Sequence, residues 1–288
     1  MHFVKTRGLL NARNGMNIYR GCQHGCIYCD ARSRCYRMEH IFEDIEVKEN
    51  ALELLEAALK SKRSPCMIGT GSMSDPYMPL EKKLEMTRGA LLLLEKYGFG
   101  ATLLTKSDLV LRDLDVLQRI NSKTKAVVQI SLTNWDADLE RILEPNVCST
   151  RRRCQVLKEF QAAGVPTVVW FCPVLPFLND TPENVRFVVE QCAQAGVKGI
   201  IQYGMGLTLR DGNREYFYSK LDRYFPGLKQ RYIQTYGNAY ELPSPREGEL
   251  LVLFHELCER YGIWHQNDRI FHYLNTLEAV QSSQLSFF

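Results

Sequence analysis

Residues 16–29 read Met-Asn-Ile-Tyr-Arg-Gly-Cys-Gln-His-Gly-Cys-Ile-Tyr-Cys. A short strand-like stretch, residues 16–19, runs into a glycine-flanked loop in which Cys22, Cys26 and Cys29 are spaced CxxxCxxC. Thiols this close in sequence can converge on one inorganic centre. A cuboidal iron-sulfur cluster held by three thiolates keeps one iron open to an outside ligand, which a cluster held by four cysteines does not. A structural zinc is the alternative, but such sites pair two short Cys or His hooks, and no second hook follows at a usable spacing. The remaining cysteines, Cys35, Cys66, Cys148, Cys154, Cys172, Cys192 and Cys258, lie scattered. Several fall at apolar helix or strand positions, where cysteine acts as a small buried hydrophobe.

Outward from this loop, short apolar runs alternate with amphipathic stretches, the pattern of strand-helix-strand units and a parallel sheet. The strand candidates are residues 16–19, 66–71, 101–105, 126–132, 166–172 and 197–203. Between them Val47, Ala51, Leu54, Leu55 and Ala58 recur at helical spacing, as do Val185, Val188, Val189 and Cys192 after a Thr181 N-cap and Pro182 in the first turn. A closed parallel barrel takes eight strands, so six predict an α/β fold of the partial (β/α)6 TIM type, with chemistry at the strand C-terminal ends and a lateral gap for a large substrate. After Tyr203 the rhythm changes to a segment dense in aromatics and arginines, followed by an amphipathic helix at about residues 246–261. The expected division is residues 1–205 for the partial barrel and 206–288 for a mostly helical C-terminal extension.

The chain has 288 residues, 45% hydrophobic and 24% charged, an ordinary globular composition with apolar surface enough for a sizeable core. A net charge of +3 argues neither for nor against a polyanionic partner, because local patches create the field. Ten cysteines are too few for a disulfide scaffold. The first residues lack a signal-peptide apolar stretch, and the longest aliphatic run, residues 91–94, is too short to cross a bilayer. A cytoplasmic, non-membrane protein is expected.

The cysteine loop, with the aromatic Tyr28 before its third cysteine and six strand-helix units around it, resembles the radical S-adenosylmethionine (SAM) superfamily. The resemblance covers about the first 205 residues. It implies a 4Fe-4S cluster on Cys22, Cys26 and Cys29, a SAM molecule at the open iron, a flavodoxin- or ferredoxin-type electron donor, and reductive cleavage of SAM to methionine and a 5'-deoxyadenosyl radical. The ends of the next strands carry Ser74 and Asp75, Lys106, and Gln129 with Ser131 on one face. These resemble the spore photoproduct lyase-like branch. There Ser74 and Asp75 would hold the methionyl amine, Lys106 the carboxylate, and Gln129 and Ser131 the ribose side. Taken singly, these residues also read as turn formers, a solvated charge and strand-end polar groups. True spore photoproduct lyases keep a hydrogen-donating cysteine and a tyrosine where this chain has Ser72 and Asp30. Splitting of the spore thymine photoproduct is therefore not expected, and Cys172 and Tyr203, closing the fifth and sixth strands, are the candidate hydrogen donors. Arg153, beside Arg151 and Arg152, reads as part of a solvated face. His255, His265 and His272 form no metal spacing, and His24, inside the cysteine loop, is expected to shape the site.

Two features point to nucleic acid. Gln284, Leu285, Ser286, Phe287 and Phe288 resemble the short peptide that docks replication and repair proteins on the DNA sliding clamp. A frayed terminus reads the same way. Arg210, Arg214, Arg223 and Arg231, interleaved with Tyr216, Tyr218 and Tyr232, offer charges for phosphates and rings for bases, although aromatic helices sealing a barrel end look alike. The expected activity is thus a radical SAM enzyme acting on DNA or another nucleic acid, in repair or modification. A peptide, protein or small-molecule substrate and a non-catalytic iron-sulfur module are the alternatives.

Overall fold

Each helical crossover returns the chain to the same end of a sheet, so strands joined this way pair in parallel. The computed structural model describes residues 1–277; Gln284 and Phe288, which bound the terminal peptide, lie outside the described residues. Six strands form one parallel sheet: β1 (Gly15–Met16), β2 (Met67–Thr70), β3 (Gly100–Thr105), β4 (Ala126–Ser131), β5 (Thr167–Trp170) and β6 (Gly199–Ile201), hydrogen-bonded in that order. Around it run α1 (Ala51–Ser61), α2 (Met86–Tyr97), α3 (Leu114–Lys123), α4 (Thr150–Ala162) and α5 (Pro182–Gln194). The partial (β/α)6 barrel read from the sequence is the fold. Every residue of β4 is buried, as a strand with helices outside and a filled barrel inside requires. Leu157 and Phe160 of α4 are fully buried, and burying each contributes roughly 1.5–3 kcal/mol. Thr181 caps α5 by accepting the Asn184 N–H, with Pro182 next.

Two local expectations are corrected. The predicted first strand, residues 16–19, leaves the main sheet after Met16, and Tyr19–Arg20 instead pairs antiparallel with Glu46–Lys48, which also pairs parallel with His2–Val4. Val47, expected on a helix, belongs to that small sheet, where it faces Phe3 and Tyr19. Apolar spacing at a strand-helix junction cannot tell the last strand residue from the first helical one.

After β6 the chain forms an antiparallel strand pair, Gly206–Thr208 with Glu241–Pro243, enclosing α6 (Asn213–Tyr224) and α7 (Leu228–Tyr236). Buried Phe217, Tyr218, Leu221 and Tyr232 of these helices share one apolar cluster with Cys26, Ile27 and Tyr28, so this segment caps the cysteine loop. The chain then returns: Leu250, Phe254 and Leu257 of α8 (Glu247–Arg260) enter the main core, and Ile270 and Leu274 of α9 (Asn267–Asn275) pack with Val127, Val168 and Ile201. Trp264 accepts the Ile200 N–H at 2.8 Å and donates to Lys198 at 3.2 Å, covering the open edge of β6. No helix among the described residues is long and apolar enough to cross a membrane.

Gly71 ends β2 with φ +101°, and a Cβ there would lie 2.1 Å from the Leu104 carbonyl oxygen of the adjacent strand. Gly71→Ala is therefore expected to cost at least about 2–3 kcal/mol, combining a left-handed non-glycine residue with a backbone clash. It should read as a lowered urea midpoint; an unchanged midpoint would contradict the tight passage of β2 beneath β3.

Candidate functional site

The strand C-terminal ends surround one cavity of about 660 Å³. Its walls include Cys22, Cys26, Tyr28 and Cys29 from the loop after β1, Ser74 and Asp75 after β2, Lys106 after β3, Ser131 ending β4, Cys172 after β5 and Tyr203 after β6. Sequence reasoning had singled out all of these. Gln129 is the exception. It lies deeper on the same face and does not line the cavity; its amide donates to Thr102 and accepts from Trp170 Nε1 at 2.7 Å, so it fixes β4 against its neighbours.

The three thiols suit a cluster better than a single ion. Tetrahedral zinc at Zn–S of about 2.3 Å needs sulfurs about 3.8 Å apart. Among the described residues the one set of three metal-binding groups with ligand atoms all within 4.8 Å of one another is His2, His40 and Asp44, and the loop cysteines are not such a set. Burial pushes the Cys22 thiol up to about 12 and raises Cys26 and Cys29 as well. An occupant must therefore displace three protons, as soft, thiolate-selecting centres do.

Two buried carboxylates fasten this loop to the barrel. Asp75 Oδ1 accepts from the Tyr77 amide at 2.8 Å and the Thr105 hydroxyl at 2.7 Å. Its Oδ2 accepts from the Lys106 amide at 2.8 Å and lies 3.0 Å from His24 Nε2. Burial raises the Asp75 pKa, but the His24 ring, the Thr105 hydroxyl and the Lys106 amide outweigh it and hold it at about 2. Asp75 thus joins the β2 turn to the end of β3 and sits against His24 of the cysteine loop, at the wall of the cavity. Ser74 donates to the Gly21 carbonyl at 2.6 Å, a second tie to the same loop.

The other carboxylate is Glu144, which follows the helical turn Ala137–Leu143. It accepts from the Tyr28 hydroxyl, from Thr133 at 3.2 Å and from Arg153. The solvated face expected for Arg153 is corrected here. Its side chain is fully buried, bridging Glu140 and Glu144 and donating to the Ser131 carbonyl at 2.7 Å. The signal was present, since Arg153 stands at i−3, i−4 and i−7 from Val156, Leu157 and Phe160 on the buried stripe of α4. Glu140 and Glu144, i and i+4, were its partners in waiting.

Lys106 is the cation left without such an anchor. Among the described residues no hydrogen bond or ion pair ends on its ammonium, and the Tyr28 ring centroid is 5.9 Å away. Burial opposes its charge, yet Cys26 and Glu144 outweigh this and keep its pKa above the ordinary lysine value. A half-buried ammonium facing a cavity is open to an anionic ligand group.

Cys172 and Tyr203 both face the cavity. Burial raises the Cys172 thiol to about 12, and burial and Cys172 together raise Tyr203. Trp170 and Tyr36 are among the wall residues that sequence reasoning missed. The Tyr36 hydroxyl donates to Asp30 at 2.7 Å, and nothing in its local pattern had marked it.

The family model for the radical SAM superfamily matches residues 16–189, more than half of the chain. An uncharacterised protein of Mycobacterium bovis is 31% identical over 253 residues, covering 85% of this chain and 73% of the relative. Another, of Methanocaldococcus jannaschii, is 34% identical over 171 residues, 59% of this chain and 63% of the relative. Among solved structures, a doubly substituted spore photoproduct lyase with bound AdoMet and dinucleoside spore photoproduct superposes with a TM-score of 0.61 over 86% of this chain and 74% of that one, at 14% identity, a likeness of fold.

Removing Arg153 would strand two carboxylates in the core. Arg153→Met is expected to cost about 3–5 kcal/mol, and Arg153→Lys to recover only part because one ammonium cannot span both acids. Urea melts measure this, and a change below 1 kcal/mol for Arg153→Met would refute the bridging role.

Proposed function

Because the chain belongs to the radical SAM superfamily and works with a 4Fe-4S cluster and SAM, we propose that Cys22, Cys26 and Cys29 hold the cluster, that Lys106 pairs with the SAM carboxylate, and that the substrate is a base of DNA or another nucleic acid. The cluster, when bound, supplies the electron that divides SAM into methionine and a 5'-deoxyadenosyl radical. The chain's own residues orient and enclose. Lys106 fixes the carboxylate end, and Ser131, ending the central strand, faces the ribose side. The extension over Cys26, Ile27 and Tyr28 shields the loop from water.

The observation that carries the substrate class is the aromatic lip on the same cavity. Tyr203 is 61% exposed, the reverse of a core ring. Its centroid lies 6.0 Å from Trp170 and 6.3 Å from Phe271, so neighbouring rings brace it while one face stays open. Behind the Tyr36 wall of the cavity Arg210 donates to Tyr36 at 3.1 Å and Tyr240 at 2.8 Å and sits 5.0 Å from the Tyr240 ring. A braced, exposed ring on a cavity with an arginine behind its wall suits a splayed base and its phosphate, and a duplex target would have to be flipped into the gap. The dinucleoside lesion in the spore photoproduct lyase complex supports this class. Cys172 and Tyr203 are the proposed hydrogen donors. The same reading assigns the reductant to a flavodoxin- or ferredoxin-type protein and the residues from Gln284 to the end of the chain to docking on the DNA sliding clamp.

Anaerobically reconstituted protein given dithionite and SAM is expected to release 5'-deoxyadenosine, and the variant combining Cys22→Ala, Cys26→Ala and Cys29→Ala to release none. Lys106→Met should weaken SAM binding by roughly 10–100-fold in equilibrium dialysis, the loss of one charge-assisted contact.

Tyr203→Leu should weaken binding of a short single-stranded oligonucleotide about 5–150-fold, one stacked base, with SAM binding unchanged. Oligonucleotide affinity unmoved by Tyr203→Leu, or deoxyadenosine formation stimulated by peptides and not by damaged DNA, would overturn the nucleic-acid reading.

A further inference from the structure

We propose that His2, His40 and Asp44 form a second metal site, for one zinc-class divalent cation, on the small sheet behind the cysteine loop. Their ligand atoms all lie within 4.8 Å of one another, an arrangement that no other set of three such side chains reaches among the described residues. His2 and Asp44 are already in contact, Nδ1 to Oδ2 at 3.0 Å, and the His2 and His40 ring centroids stand 4.8 Å apart.

The lone pair that carries the argument is on His40. Its Nδ1 lies 3.0 Å from the Ile41 carbonyl oxygen, which can only accept, so the ring proton sits on Nδ1 and Nε2 presents its lone pair. Nε2 is buried and has no hydrogen-bond partner. Leaving a buried acceptor unsatisfied is unfavourable, and a cation would satisfy it. A carboxylate oxygen, Glu46 Oε2, lies 3.8 Å away; it cannot donate when ionised but would balance a cation's charge. Glu46 is the register partner of His2 in the parallel pair, so the two side chains leave the same face.

Two imidazoles with carboxylates suit zinc and its neighbours and not calcium or magnesium, which take oxygen ligands. Zn–N and Zn–O bonds near 2.0–2.2 Å require the side chains to close by rotamer adjustment alone. The His2 side chain is 38% exposed and Asp44 43%, so a cation can enter from solvent, while His40 at 17% forms the floor. Asp44 Oδ1 holds the Met1 amino group at 2.7 Å, leaving Oδ2 as the ligand. The consequence is mechanical. The residues between His40 and Asp44 include Phe42, whose carbonyl accepts the Cys22 N–H at 3.3 Å, so a cation here would lock the wall behind the first cluster cysteine to the strand His2–Val4.

The test uses untagged, reconstituted protein with its iron content verified, so that the three thiols are occupied. After equilibration with zinc and gel filtration, wild type is expected to retain about one zinc per chain by elemental analysis and to melt at a higher temperature than without zinc. His40→Ala and the milder His40→Gln should lose both effects while keeping iron content and far-ultraviolet circular dichroism. The triple cysteine-to-alanine variant should still take one equivalent, and its cobalt derivative should display visible d–d bands without a thiolate charge-transfer band. Zinc retained by both folded His40 variants, no zinc in wild type, or zinc lost with the cysteines would overturn the proposal.

Discussion

Three thiols on a loop between two short strands, Cys26 buried and Cys22 and Cys29 half-buried, cannot hold their own geometry; two buried carboxylates hold it for them. Asp75 gathers His24 from the loop, the β2 turn and the start of the segment after β3. Glu144 takes the Tyr28 hydroxyl from the other side and is itself held by Arg153. Both sit where desolvation is costly, so each is stable only because its acceptor positions are filled. Gly21 completes the constraint: at φ +89° a Cβ would lie 2.4 Å from the Phe42 carbonyl oxygen, so the loop passes closer to its neighbour than any side chain allows.

This fastening explains the division of charge in the site. Arg153 is fully buried and Lys106 half-buried near Glu144, yet Arg153 is consumed by Glu140, Glu144 and the Ser131 carbonyl, whereas the Lys106 ammonium faces the cavity. A rigid planar guanidinium bridges two acids, and a single ammonium on a flexible stem is better kept for a ligand. The aromatic extension adds a lid over the loop from a different part of the chain, placing Phe217 and Tyr232 in one cluster with Cys26 and Tyr28.

Much of this was legible in the sequence, for a physical reason. Strand-helix alternation is a local property, and β4 and α5 fall where their apolar periods and the Thr181–Pro182 start placed them. The wall residues Ser74, Lys106, Ser131, Cys172 and Tyr203 were legible because in a parallel sheet the position after each strand is the position at the cavity. Gln129 was misread because alternation fixes the face of a residue but not its depth along the strand. Arg153 was misread because two neighbouring arginines suggested solvent, and its partners were visible only as a helical pair.

By itself, then, the sequence determined the parallel partial barrel and the three-thiol loop at one strand end, since periodicity and spacing are written in neighbouring residues. Only the tertiary structure decided which polar groups are structural ties and which remain open to a ligand. Asp75, Glu144 and the terminal nitrogens of Arg153 are engaged by partners from other segments, whereas Lys106 and the ring of Tyr203 are left facing the cavity. The satisfaction of a buried polar group depends on what the fold brings within hydrogen-bonding distance, and no local pattern of residues encodes that.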